Sequence, residues 1–370
     1  MSAISIVMLA FALIGALDRI CGNRLGLGKE FERGFSLLGP MALSMIGMTV
    51  IAPALGVWLE PFFEGFYNLF GIDPSIIPAS LFANDMGGTP LAMAVMKDSE
   101  IGMYNALVVS SLMGAVISFT IPFGAAIVNK TQHKELFFGF LCGIVAIPIG
   151  CFISGLTLGI GFFKLLLTLL PLILLSIIIA IGLVFASKIT IKIFRGFGFF
   201  MTALITVGLA LGIFTEVSGI VVSEHFASIH DGAKICFNAS IFLAGAFPFM
   251  FIVSKLLAKP MSVLGKKLGI NVASAVCLLP NLVTNATTFG MMKDMDKKGA
   301  VLNSALAVTV SWTFGSHLGF TMSYDEAYAL PMIIAKLASG IAAIVLALLI
   351  YKEAPEAETE QKQGALGTND

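Results

Sequence analysis

S-L-F-A-N-D-M-G-G-T-P-L, residues Ser80 to Leu91, places an amide, an acid, two glycines and a proline inside an otherwise apolar segment running from Ile76 to Met96. A helix cannot run comfortably through Gly87-Gly88-Thr89-Pro90, because glycine is conformationally too free and proline lacks a donor and clashes with the preceding turn. The segment is expected to break there. A break exposes backbone N–H and C=O groups, which at membrane depth are tolerated only where protein or a watery cavity satisfies them. Asp85 stands at the break, and an ionisable residue in that position is a candidate functional group.

Membrane depth is the right setting. Of 370 residues, 58% are hydrophobic and 12% charged, with a mean hydropathy of +0.97. Many apolar runs reach the roughly 20 residues that span a bilayer. The chain therefore reads as an all-α polytopic membrane protein. Its formal net charge is zero, which gives no sign of nucleic-acid binding. Cys21, Cys142, Cys151, Cys236 and Cys277 are scattered without a CxxC pair and read as packing residues. Met1 to Leu17 lacks a basic flank and is followed by Asp18-Arg19, so it is expected to be a first span and not a cleaved signal peptide.

Nine full spans are expected: Ala3 to Leu17, Phe35 to Trp58, Ile101 to Val128, Leu136 to Ile160, Phe162 to Ala186, Phe197 to Val222, Ile235 to Leu257, Ala300 to Phe320 and Ala329 to Tyr351. Ile76 to Met96 and Val272 to Met292 are apolar but interrupted, and charge decides how they run. If both crossed, the basic loops at Lys130, Lys188 and Lys259 would face away from Arg19 to Arg33, against the positive-inside bias. If each dips in and returns, every lysine and arginine except Lys97, Lys164, Lys234 and the intramembrane Lys336 falls on one side. The expectation is two re-entrant hairpins, with the N-terminus outside and the C-terminus in the cytoplasm.

That topology makes the halves antiparallel. Gly47 and Gly245, Gly71 and Gly269, and Asn105 and Asn303 share one spacing, with Pro61 and Pro260 one residue off it. The expected architecture is a single membrane domain over 1–352 with inverted repeats at about 35–128 and 233–326, a construction used by secondary transporters. Glu60 to Phe70 and Lys259 to Leu268 read as short interfacial helices before each hairpin. Residues 353–370, acidic and rich in Gln, Ala and Gly, read as a disordered cytoplasmic tail.

Several stretches together resemble a known family. They are F-E-R-G-F at Phe31 to Phe35, S-M-I-G-M-T-V-I-A-P at Ser44 to Pro53, D-M-G-G at Asp85 to Gly88, and I-P-I-G-C at Ile147 to Cys151. Further along come G-M-M-K-D-M-D-K-K-G at Gly290 to Gly299, H-L-G-F at His317 to Phe320 and P-M-I-I-A-K-L at Pro331 to Leu337. In that order they resemble the ethanolamine permease of bacterial ethanolamine-utilisation operons. The resemblance implies uptake of ethanolamine across the bacterial inner membrane to supply an intracellular lyase. It also implies an acid before the H-L-G-F histidine, where this chain has Ser316.

A carrier of protonated ethanolamine needs a partner for an ammonium and one for a hydroxyl. Asp85 is the candidate ammonium partner, helped by backbone carbonyls freed at Met86 to Gly88, with Asn84, Gly87 and Gly88 counted in the candidate site; its other reading is a helix cap. In the second hairpin Pro280, Asn281, Thr284, Asn285, Thr287 and Thr288 bracket a break without an acid. They either complete the site or satisfy loose backbone. Asn105 and Asn303 are expected to pin the hairpins. Trp312, Phe320 and Phe82 could face a cation or simply pack, His317 could act in the pathway or be structural, and Lys336 is expected in an ion pair, with Asp325 or Glu326 nearby. No triad, phosphate loop or metal cluster is present in the sequence pattern, so no enzyme activity and no cofactor are expected. The partners expected are the small substrate and the bilayer, and the sequence leaves homo-oligomerisation open. Three alternatives stand beside the ethanolamine reading: an ion-coupled symporter of a small carboxylate or amino acid, a structural or sensory membrane partner of the utilisation machinery, and an open channel.

Overall fold

Hydrocarbon offers no water to a peptide group, so a chain this apolar satisfies its backbone within helices. The computed structural model describes residues 2–352, and among them there is no strand. The tail at 353–370 lies outside the described residues.

Taken in order, α1 (Ala3–Ile20) is followed by α2 (Leu27–Ser36), which runs through Leu37 into α3 (Leu38–Trp58). The short α4 (Glu60–Phe70) precedes α5 (Ile76–Leu81) and α6 (Gly88–Val95). Then come α7 (Ser99–Ile127), α8 (His133–Thr157), α9 (Phe162–Phe185), α10 (Ser187–Ser218) and α11 (Ile229–Leu268). The short α12 (Val272–Cys277) and α13 (Ala286–Met291) lead to α14 (Lys297–Thr309), α15 (Ser316–Tyr324) and α16 (Ala329–Ile350). Eight helical stretches are long and apolar enough to cross a membrane. This is a multi-pass membrane architecture.

Two expectations need correction. The eighth expected span, Ala300 to Phe320, is not continuous but two helices: α14 ends at Thr309, α15 starts at Ser316, and Trp312 between them takes a left-handed backbone at φ 58°. Lys259 to Leu268 is not a separate helix but the last part of α11, which continues through Pro248 and Pro260. The carbonyl that Pro260 leaves without a donor belongs to Leu256, a residue 71% exposed, so the helix survives. Glu60–Phe70 does form its own helix, ended by Gly71 at φ 64°. Within α7, Asn105–Gly114 and Val116–Thr120 wind as wider π-helix, a form usually confined to single turns at functional sites.

The interrupted stretches each begin and end in one place. Asp73 accepts through Oδ2 from the N–H groups of Lys97 (2.8 Å) and Asp98 (2.7 Å). In the second, the Asn271 N–H donates to Asp296 Oδ1 (2.9 Å) and its amide to the Asp294 carbonyl (2.9 Å). Asn105 donates to Ser75 Oγ (2.9 Å) and Asn303 to the Ser274 carbonyl (2.9 Å), each tying the following helix to its own stretch.

Surface contacts sort the helix ends into two sets. One end gathers Ser2 and Ser5 with Glu326, Lys97 with Glu64, and Lys164 with Asp98 (2.8 Å) and Glu100 (2.9 Å). The other gathers Arg19 with Glu32 (2.6 Å), Gln132 with the Met292 carbonyl (2.7 Å), and Phe138 with Tyr351. Exposed pairs of this kind contribute about 0–1 kcal/mol each and serve better as markers of position than as braces. The five cysteines are unpaired; all but Cys21 are buried, as packing residues should be.

Small residues set the closest helix approaches, since van der Waals packing, not water release, joins helices in lipid. A Cβ on Gly47 would lie 1.8 Å from the Ile205 carbonyl, and one on Gly208 2.2 Å from the Gly47 carbonyl, so α3 and α10 touch backbone to backbone. Gly150 meets the Ala335 carbonyl across α8 and α16 in the same way. Gly47→Ala should therefore cost about 1–3 kcal/mol by overpacking and lower the detergent melting temperature by several degrees. Gly65→Ala, inside α4 with nothing within 4 Å of the new Cβ, should leave it unchanged or raise it slightly in the same thermal scan.

Candidate functional site

Helix α5 stops because Phe82 turns to extended backbone (φ −120°, ψ 133°). A single 3₁₀ turn, Asn84–Met86, then leads to Gly87 at φ 93°, where α6 starts. Gly87 is required both by that left-handed backbone and by Met48, whose Cγ a Cβ would meet at 2.1 Å. Gly88 closes the turn by donating to the Ala83 carbonyl (2.8 Å). The turn directs the Asp85 carboxylate into a cavity of about 400 Å³.

The opposite wall comes from the broken eighth segment, between α14 and α15. Ser316 Oγ donates to Asp85 Oδ2 at 2.6 Å, and His317 Nε2 lies 3.6 Å from Oδ1. The side chain of Asp85 is 19% exposed and that of His317 1%. Trp312 sets its ring 5.2 Å from the His317 ring and 5.2 Å from Phe119, edge-on. Its left-handed backbone is uncommon for a bulky residue and marks a conformation that the surroundings must impose. Arg33 also lines the cavity, resting 4.8 Å above the Phe247 ring and 3.3 Å from Glu30. Among the described residues no lysine or arginine forms an ion pair with Asp85. The site thus offers one carboxylate, neutral hydroxyls at Ser44, Thr284 and Ser316, and aromatic faces. Such a set suits a small cation that also carries a hydroxyl.

Of the residues singled out in the sequence, Asp85, Thr284, Trp312 and His317 line this cavity. Asn84 does not: it is fully buried and gives its amide to the His317 carbonyl and Thr321 Oγ1, both at 3.3 Å. Gly87 and Gly88 shape the turn behind the acid. Asn281 is turned inward, donating to the Cys277 carbonyl (3.2 Å) and Asn303 Oδ1 (3.3 Å) and accepting from Thr288 (3.0 Å). Asn285 is buried against Thr120. Asn281 is thus satisfied inside the protein by backbone and side chains, while the side-chain oxygens of Asn84 and Asn285 are buried without a partner among the described residues. Phe320 is wholly buried, and Phe82 stacks on Phe197 at 5.4 Å.

Lys336 also departs from expectation. Asp325 accepts from the Ala327 N–H and Glu326 from Ser2 and Ser5, while the Lys336 ammonium donates to the carbonyls of Ser111 (2.7 Å) and Ser311 (2.9 Å). Sequence reasoning missed Arg33, Ser44 and Phe119 as cavity residues. Arg33 and Ser44 do lie in the F-E-R-G-F and S-M-I-G-M-T-V-I-A-P stretches, a signal that was present but pointed to no role.

Residues 1–350 match the family described as "Ethanolamine utilisation protein, EutH". A probable ethanolamine permease of Listeria monocytogenes is 35% identical over 98% of this chain and 97% of its own. A protein of Bacillus subtilis, YxeR, is 37% identical over 93% of each chain. A probable ethanolamine permease of Salmonella typhimurium is 32% identical over 96% of this chain and 97% of its own. No solved structure matches.

Trp312 is one of two tryptophans, and the other, Trp58, is 58% exposed at a helix end. In a Trp58→Phe protein, titration with a small primary ammonium ion should change the Trp312 emission saturably. The change should vanish when Asp85→Asn is added.

Proposed function

Because the chain belongs to the EutH family of ethanolamine utilisation proteins, we propose that it is a permease carrying ethanolamine across the bacterial inner membrane. The observation that carries the reading is Asp85, exposed at a helix break into an aromatic-walled cavity with a serine hydroxyl 2.6 Å away. Ethanolamine is mostly protonated at neutral pH. Its ammonium sits on Asp85 under Trp312, and its hydroxyl reaches Ser44, Thr284 or Ser316. A lone carboxylate in a site of low dielectric holds a cation far better than it would in water. Nothing in this set calls for covalent chemistry on the substrate, in keeping with a transporter and not an enzyme.

The carrier works by alternating access around inverted repeats. Two observations support re-entrant hairpins: each interrupted stretch has its ends hydrogen-bonded together, and the two closures lie at opposite ends of the molecule, near Lys164 and near Gln132. A second cavity of about 160 Å³ shares Arg33, Phe247, Val283 and Thr284 with the first and extends to Glu30 and Ser254. The site is therefore reached from the end carrying Arg19 and Arg33, the cytoplasmic end by the positive-inside bias. This is an inward-facing state, with the N-terminus outside and the C-terminus inside.

The anion-symporter alternative, in which the neutral Asn/Thr hairpin binds an anion at half-helix N-termini, has less to rest on, because the cavity presents a carboxylate, Asp85.

In proteoliposomes with equal insertion, Asp85→Asn should lower the initial rate of labelled-ethanolamine uptake at subsaturating substrate by about ten- to a hundredfold. That is the loss of a charge-assisted bond of about 1.5–3 kcal/mol. Uptake equal to wild type would leave Asp85 only a cap. For topology, a single cysteine in place of Lys97 should react with an impermeant maleimide from outside and one in place of Lys293 should not; the reverse pattern would overturn the orientation.

A further inference from the structure

Lys336 is a fully buried lysine, with a relative exposure of 1%. Its ammonium forms no ion pair with an acid among the described residues; it bridges two carbonyls from different halves of the chain, Ser111 in the π-helical part of α7 and Ser311 in the break before α15. Both carbonyls belong to backbone that borders the cavity, since Trp312 follows Ser311 and Ala115 lies one turn beyond Ser111. The titratable groups around it are Asp85 at the hairpin tip, His317 on α15 and Cys151 on α8, whose carbonyl accepts from Tyr104 of α7 at 2.7 Å. Asp85 is the one carboxylate among these.

The charge count follows. Without substrate, Asp85 as an anion and Lys336 as a cation balance each other, as do Arg33 and Glu30 at the edge of the cavity, 3.3 Å apart. A second cation arriving on Asp85 leaves the dry site with an unbalanced positive charge, which is costly at low dielectric. A lysine ammonium can remove that imbalance, because it can lose a proton where a guanidinium cannot.

Resting on the ethanolamine reading, we infer that Lys336 is the coupling group: its ammonium releases one proton when cationic substrate binds Asp85, making transport an electroneutral exchange of ethanolammonium for a proton. In the step, one Nζ–H bond breaks, the electron pair stays on nitrogen, and the proton passes to water on the side from which the substrate came. After the substrate leaves to the cytoplasm, Lys336 takes a proton from that side. One cation enters and one proton leaves. The substrate in effect displaces a tethered cation, and the two carbonyls that held it are freed as the halves rearrange.

The test is labelled-ethanolamine uptake into proteoliposomes with and without a potassium diffusion potential, inside negative, of about 100 mV. Wild-type uptake should differ by less than about twofold between the two conditions, whereas a carrier moving one net positive charge could accumulate substrate up to about fiftyfold. An outward proton gradient should drive wild-type accumulation. Lys336→Gln, which keeps a donor without a titrating charge, should become dependent on the potential. Lys336→Arg, which keeps charge and donors but holds its proton, should lose exchange by at least about tenfold. Saturable wild-type uptake driven by the potential would overturn the exchange and leave the substrate reading standing, as would wild-type behaviour of Lys336→Arg. Absence of saturable uptake by the wild type would overturn both.

Discussion

A peptide N–H or C=O without a partner costs several kcal/mol in hydrocarbon, and everything distinctive about this molecule follows from how it meets that constraint. The chain interrupts helix at three places deep in the bundle, and the interruptions serve as partners for one another. The Phe314 N–H in the broken eighth segment donates to the Leu282 carbonyl at the tip of the second interrupted stretch (2.9 Å). The Asn84 amide in the first caps the His317 carbonyl, and Ser316 meets Asp85. A break that could not find the others would be a defect; three that converge make a polar pocket in an apolar protein. The site lies where it does because that is where the loose backbone is collected.

The same economy sets the chemistry of the pocket. Asn84, Asn281 and Asn285 near the breaks are buried and none of them lines the cavity, so few polar groups remain to face a ligand. What remains is one acid, three hydroxyls and a wall of rings, with Arg33 also in the lining. Selectivity in such a place comes from charge and size, not from a dense hydrogen-bond pattern.

The membrane class, most of the long helices and the break at Gly87-Gly88 were legible in the sequence, because composition, run length and the glycine-proline signal act locally. The break between Thr309 and Ser316 was not. It contains no proline and only Gly315 at its end, and Trp312 adopts a backbone that its own chemistry disfavours. The π-helical winding of Asn105–Thr120 likewise carries no local signature. Asp85, Thr284, Trp312 and His317 were found because charge, rings and a polar break are conspicuous against apolar sequence. Asn84, Asn281 and Asn285 looked equally conspicuous, yet a buried amide beside open backbone has two uses and sequence does not tell them apart. Lys336 was expected beside an acid, and its actual partners are carbonyls, groups that every residue possesses and that no sequence pattern distinguishes.

The closures of the two interrupted stretches differ in one respect. In the first, the acid stands on the leading strand and grips the returning one through Asp73; in the second, it stands on the returning strand and grips the leading one through Asp296. Donor and acceptor have exchanged places. Each closure therefore hangs on one carboxylate, carried by the leading part of the first stretch and by the returning part of the second. Two stretches closed alike in outline are closed by residues at different places in the chain, so loosening one leaves the other intact.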